Sequence, residues 1–128
     1  MTDALWISAG AIAGANLRYA VSTWAAGALS PSLPFGTLIV NTTGSMVLGF
    51  FLVWTTDRVF VDPHWRLLIA VGFCGAYTTF SSYSYESLKL IEGGHYLTAF
   101  ANFAANNFLA LAAVVAGAAL ARVVQHGG

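Results

Sequence analysis

Apolar residues fill four long windows of this chain, at about residues 4–28, 35–55, 65–90 and 96–124. Each matches or exceeds the roughly 20 apolar residues that a membrane-crossing helix needs. Short turn-forming or polar stretches separate them. The first window ends in Ser30-Pro31-Ser32-Leu33-Pro34, a run of helix breakers. The second, closed by Trp54, gives way to the most polar part of the sequence, from Thr56-Asp57-Arg58 to Asp62-Pro63-His64. Trp6 and Trp24 stand eighteen residues apart. That is about 27 Å along a helix, which fits them to opposite aromatic belts of one bilayer. The pattern predicts an all-α membrane protein, a single domain of four transmembrane helices over residues 1–128.

The third window breaks the pattern. Its middle reads Gly72-Phe73-Cys74-Gly75-Ala76-Tyr77-Thr78-Thr79-Phe80-Ser81-Ser82-Tyr83-Ser84-Tyr85, with glycines and hydroxyls at a depth where polar groups are scarce. Such residues allow a helix to break, because the freed backbone groups find partners inside the protein. Broken helices at mid-membrane place backbone dipoles against ions. A discontinuity is therefore expected near Gly75 to Thr79. The competing reading is an unbroken helix that uses its small residues for close packing.

Composition sharpens the membrane assignment. Hydrophobic residues make up 58% of the chain and charged residues 8%, against about 25% charged in ordinary soluble domains. So few charges cannot cover the surface of a small soluble fold. Met1-Thr2-Asp3 lacks the basic start of a secretory signal, so the first window is expected to be retained. The single cysteine, Cys74, excludes an internal disulfide and reads as a small buried hydrophobe. Net charge is zero and no basic cluster along the sequence points to nucleic acid or to lipid headgroups. With alternating spans, Arg58, Arg66 and Arg122 lie on one side, and Lys89 with a snorkelling Arg18 on the other. That bias is too weak to fix one orientation. It suggests insertion both ways and pairing as an antiparallel homodimer; a uniform orientation set by other factors is the alternative.

Polar residues deep in a membrane are functional candidates. Here they are Asn41, the hydroxyl run Thr78 to Ser84, and Asn102, Asn106 and Asn107, with Asn102 and Asn106 on one helix face. All are neutral donors. A conducting site must bind an anion well enough to strip its water and weakly enough to release it, and a buried Lys or Arg would trap it. Phe80 can add an electropositive ring edge. Taken singly, each of these residues is as well explained as a link between helices; their convergence from three spans favours a shared polar path. Gly10 and Gly14 form a GxxxG packing motif. Arg18 is a vestibule cation or a snorkelling anchor. Glu86 and Lys89 read most simply as a solvated helix end, and His64, His95 and His126 have no ligand spacing. No catalytic motif is found, so there is no case for an enzyme.

Three segments together resemble the Fluc (CrcB) family of bacterial fluoride channels: Gly14-Ala15-Asn16-Leu17-Arg18-Tyr19, Gly36-Thr37-Leu38-Ile39-Val40-Asn41-Thr42-Thr43-Gly44, and Gly72 through Ser81. They occur in spans 1, 2 and 3 in the family's order. The resemblance implies a dual-topology homodimer in the bacterial inner membrane, with two antiparallel pathways that export fluoride passively and relieve its toxicity. It implies a structural Na⁺ at the dimer centre, held by the backbone carbonyls of Gly75 and Thr78. It also implies roles for Asn41 as a pore donor, Phe80 as a lining ring, Ser81 on the polar track and Glu86 near a pore mouth. Asn106 joins them as a deep donor, and Arg18 as a vestibule charge. The family's second phenylalanine is replaced by Tyr83, which keeps the ring edge and adds a hydroxyl. Two rival functions are a proton-coupled exporter and a structural subunit of a larger complex. The first is disfavoured because span 1 holds no membrane-embedded carboxylate.

Overall fold

The computed structural model describes residues 1–56, 58 and 60–127. The expected polar segment around Asp57 therefore lies partly outside the described residues. Regular structure among them is entirely helical. Helix α1 spans Thr2–Ala28 and α2 spans Phe35–Thr56. A third rod begins as α3 (His64–Arg66), continues as a π-helical segment, Leu67–Cys74, and ends as α4 (Gly75–Tyr77). After a break, α5 covers Phe80–Glu92, and α6 covers Tyr96–His126. Helical residues thus fill the apolar windows of the sequence, the third being divided between the rod and α5. By length and apolar content α2 and α6 are each sufficient to cross a membrane.

Glycine sets how closely these rods pack. A β-carbon at Gly10 would run into the Leu68 carbonyl, and one at Gly14 into the Phe73 carbonyl. The GxxxG face therefore seats α1 on the π-helical segment of its own chain. On the other side, Gly49 of α2 lies against the Val114 backbone, and Gly117 of α6 against the Met46 carbonyl. Two backbone-to-backbone pairs result, α1 with the third rod and α2 with α6. The turn into α6 needs glycine for a different reason: Gly94 has φ of 78°, which L-residues with side chains avoid.

The break in the third rod is sharper than the sequence suggested. Gly75 keeps helical angles, φ −62° and ψ −35°. The extended residues are Thr78 (φ −83°, ψ 157°) and Thr79 (φ −151°, ψ 122°). Thr79 then caps α5: its side chain accepts from the Ser82 N–H at 3.1 Å, the usual work of a threonine at an N-cap. The eight-residue π-helical stretch was not foreseen. Wider turns of this kind are rare and collect at functional sites.

Candidate functional site

Asn41 holds the break together. Its Oδ1 accepts from the Thr79 N–H at 2.8 Å, and its Nδ2 donates to the Thr79 carbonyl at 3.0 Å. One side-chain amide thus satisfies both backbone groups that the extended Thr79 removes from helical pairing. The second Nδ2 hydrogen goes to Asn106 Oδ1 at 3.0 Å. Asn106 Nδ2 in turn donates to the carbonyl and Oδ1 of Asn102, at 3.0 and 2.9 Å. Asn102, fully buried, donates to Ser87 Oγ at 3.0 Å, and Ser87 donates to the Tyr83 carbonyl at 2.8 Å.

This chain of amides has a direction. A backbone N–H can only donate, so the Asn41 atom facing Thr79 N is the oxygen, and every later amide is fixed in turn. Its far end agrees, since the Asn102 and Tyr83 carbonyls can only accept. Both Nδ2 hydrogens of Asn41 and of Asn106 are used within the chain. These two residues, expected as donors to an ion, are first of all what shapes the break.

Beside them lies an open cleft of about 210 Å³, lined by Asn41, Ser45, Thr79, Phe80, Tyr83 and Asn106 among others. Phe80 is 77% exposed on the protomer's outer face. Its ring meets that of Tyr83 edge-on, with centroids 5.4 Å apart at 63°. Tyr83 is itself buried, and its hydroxyl oxygen accepts from Asn107 Nδ2 at 3.4 Å. That bond leaves the Tyr83 O–H hydrogen available. Ser81 is exposed at the start of α5, its Oγ 3.3 Å from Thr79 Oγ1.

Glu86 lies elsewhere. It lines a second cavity, of about 270 Å³, near the turn that follows α1. Thr37 donates to Glu86 Oε1 at 2.7 Å, and the buried Oε2 has no partner among the described residues. So Glu86 is a half-buried carboxylate rather than a solvated helix end. Arg18 lines neither cavity. Ser22, one helical turn further along α1, does line the Glu86 cavity, which puts Arg18 on the same helix face. Thr78 lies in the break itself, and Gly75 opens the last helical turn before it, Gly75–Tyr77. Thr37 and Ser87 are the residues that sequence reasoning passed over; Asn102, a candidate by its depth and its i, i+4 spacing from Asn106, is the buried relay between Asn106 and Ser87.

The family model described as CrcB-like protein, Camphor Resistance (CrcB), matches residues 5–118. A protein from Koribacter versatilis (strain Ellin345) named Fluoride-specific ion channel FluC is 57% identical over 94% of this chain and 95% of its own length. Proteins of the same name from Sulfurihydrogenibium sp. (strain YO3AOP1) and Roseiflexus sp. (strain RS-1) are 44% and 45% identical. These matches cover 97% and 92% of this chain, and 100% and 95% of the relatives. With the family model spanning nearly all of its length, this chain belongs to the CrcB-like family.

Proposed function

We propose that this protein is a fluoride-specific ion channel that releases cytoplasmic fluoride passively across the bacterial inner membrane. The observation that carries the reading is the cleft beside the helix break, where hydroxyls and a ring edge gather without a fixed positive charge. The Tyr83 O–H and the Phe80 edge supply weak, neutral donors there, with Ser81 beside Phe80 in sequence though not in the lining, and such donors suit an anion that must both enter and leave. Asn41 and Asn106 hold those donors in place. Glu86, beside Thr37, lines a wider mouth between α5 and the turn after α1, and Arg18 stands one helical turn before Ser22 of that lining. The names of the relatives support the choice of fluoride among small anions.

In this reading all four helical stretches cross the bilayer, and two copies pair antiparallel. The cleft opens on the outside of the protomer, where a single copy would leave it facing lipid. A partner closes it. A structural Na⁺ at the dimer centre fits the same backbone. The Thr79 N–H donates to Asn41 rather than to the carbonyl four residues back, which releases Gly75 C=O; Thr78, in extended conformation, presents its own. Hard cations take several such oxygens, and two copies double the set. Gly75 and Thr78 would hold the ion, and its charge would draw the two breaks together.

The test is efflux from liposomes loaded with potassium fluoride, followed by an electrode after valinomycin is added. Fluoride release that depends on the ionophore, with none when chloride replaces fluoride, is the expected result. Its loss in Asn41→Asp and Phe80→Ile places the pathway at the cleft. No release from folded protein would overturn the channel reading.

A further inference from the structure

We propose that the end of the bundle where α2 and α6 terminate is a seat for an anionic phospholipid, its phosphate held by Arg58 and Arg122 and one acyl chain lying in the adjoining aromatic cleft. Two cavities lie at that end. The first, about 570 Å³, is lined by Arg58, Arg122, Gln125 and His126, together with Val53 and Thr56. The second, about 360 Å³, is lined by Phe51, Trp54, Phe60, Trp65 and their neighbours. Trp54 joins them: it lines the aromatic cleft while the Arg58 guanidinium sits 4.3 Å above its ring.

The balance of charge favours an anion. Two helix C-termini contribute roughly half a negative charge each, about −1 in all, against two guanidinium groups that are always protonated. Gln125 reduces the negative side further, donating to the Val53 and Trp54 carbonyls at 3.2 and 3.3 Å. The acid lining either cavity among the described residues is Asp62, which lies in the aromatic cleft rather than in the arginine cavity and whose Oδ1 takes the His64 ring and backbone N–H, at 2.7 and 2.9 Å. Asp57 precedes Arg58 in sequence and lies outside the described residues.

Depth and shape favour a lipid over a free ion. Trp6, Trp54 and Trp65 all lie at this end of the bundle, as an interfacial belt does. Phe60 stands fully exposed on the connection between α2 and α3, a position that is costly in water and natural among acyl chains. Basic pockets at this level of a membrane protein take phospholipid head groups, and the arginine fork matches phosphate oxygens.

The test is native mass spectrometry of the purified full-length protein with equal amounts of phosphatidylglycerol and phosphatidylcholine of the same chains. Phosphatidylglycerol should be retained several-fold over phosphatidylcholine. The double variant Arg58→Gln, Arg122→Gln should lose that preference. Arg66→Gln, which removes a charge at the same end but outside both cavities, should keep it. Phe60→Ser should weaken retention of both lipids. Co-elution of each variant with the parent protein establishes folding independently of fluoride transport. Equal retention of the two lipids, an equal loss in Arg66→Gln, or displacement of phosphatidylglycerol by excess inorganic phosphate would each overturn the proposal.

Discussion

Carboxylates placed at two points of the amide chain should behave very differently, although Asn→Asp changes one group in both. At position 106 the new oxygen faces the carbonyl and Oδ1 of Asn102. Asn102 Oδ1 loses its donor, at about 1–3 kcal/mol when buried, while the Asn102 carbonyl keeps its helical bond from the Asn106 N–H and loses only the second one. At position 102 the group still accepts from Asn106. It can also take a hydrogen from Ser87, whose hydroxyl turns away from the Tyr83 carbonyl; beyond the cost of burying the new acid, which both variants share, roughly one ordinary hydrogen bond is lost, about 1 kcal/mol. Thermal unfolding in detergent should therefore rank parent above Asn102→Asp and Asn102→Asp well above Asn106→Asp, and equal losses would show that the chain has no direction. Tyr83→Phe probes the cleft itself. It deletes one hydroxyl and keeps the ring edge, so fluoride efflux should persist, altered by no more than about tenfold, the kinetic equivalent of one hydrogen bond. Abolished efflux would make the hydroxyl an obligatory donor. Sequence pattern located Asn41, Phe80 and Tyr83 because polar or departing residues stand out at membrane depth. It could not say that the amide hydrogens of Asn41 and Asn106 are spent on neighbours, since partners are a matter of three-dimensional geometry.

Among the elements, the α2–α6 pair depends on an absence of side chain. A single methyl at Gly117 meets the Met46 carbonyl and the Phe50 backbone, so Gly117→Ala must push the helices apart, at about 1–3 kcal/mol for an overpacked contact. Gly27 has nothing within reach of an added carbon, and Gly27→Ala should be neutral or slightly stabilising, alanine being the better helix former. Similar losses at both sites would remove close packing as the cause. A second element-level feature is the clasp at the start of the third rod. The hydrogen bond from the His64 backbone N–H, aided by the ring, holds the Asp62 carboxyl below its ordinary value of 3.8. A lowered folded pKa means stabilisation that is present above the unfolded value and lost as pH falls through the folded one. Asp62→Asn should therefore lower the melting temperature slightly at pH 7, and the difference should shrink as pH falls below about 4 and vanish only below the lowered folded value. A difference unchanged by acid would assign the effect to capping geometry alone. Helix boundaries were legible because lipid enforces apolar windows of set length. The break was legible from its glycines and threonines, yet its position shifted to Thr78 and Thr79. What decides that position is the reach of Asn41 from another helix, which local sequence does not contain. The π-helical stretch has no local signature either, and nothing in the structure explains why the winding widens there beyond its tight seat on Gly10 and Gly14.

For the whole molecule, the decisive asymmetry is that the candidate pathway lies on the protomer's surface. Asn102 and Asn106 are buried by α2 and α5, yet Phe80 and the cleft face outward, where lipid would leave the donors unmatched at several kcal/mol per group. In the proposed antiparallel pair, a second copy related by a two-fold axis in the membrane plane would cover the cleft with its own and restore the match. That arrangement requires both orientations in one membrane, which the weak charge bias of the loops permits. His95 lies exposed in the short turn between α5 and α6, so a cysteine there reports its side of the membrane. With Cys74, which is buried, replaced by serine, His95→Cys in intact cells should react with an impermeant maleimide in about half of the copies, since one protomer of each antiparallel pair faces outward. Permeabilising the cells should bring the remainder to reaction. Full labelling or none before permeabilisation would mean a single orientation. The cleft would then have to be sealed by a parallel neighbour, an arrangement in which the two breaks could not face each other across a shared Na⁺.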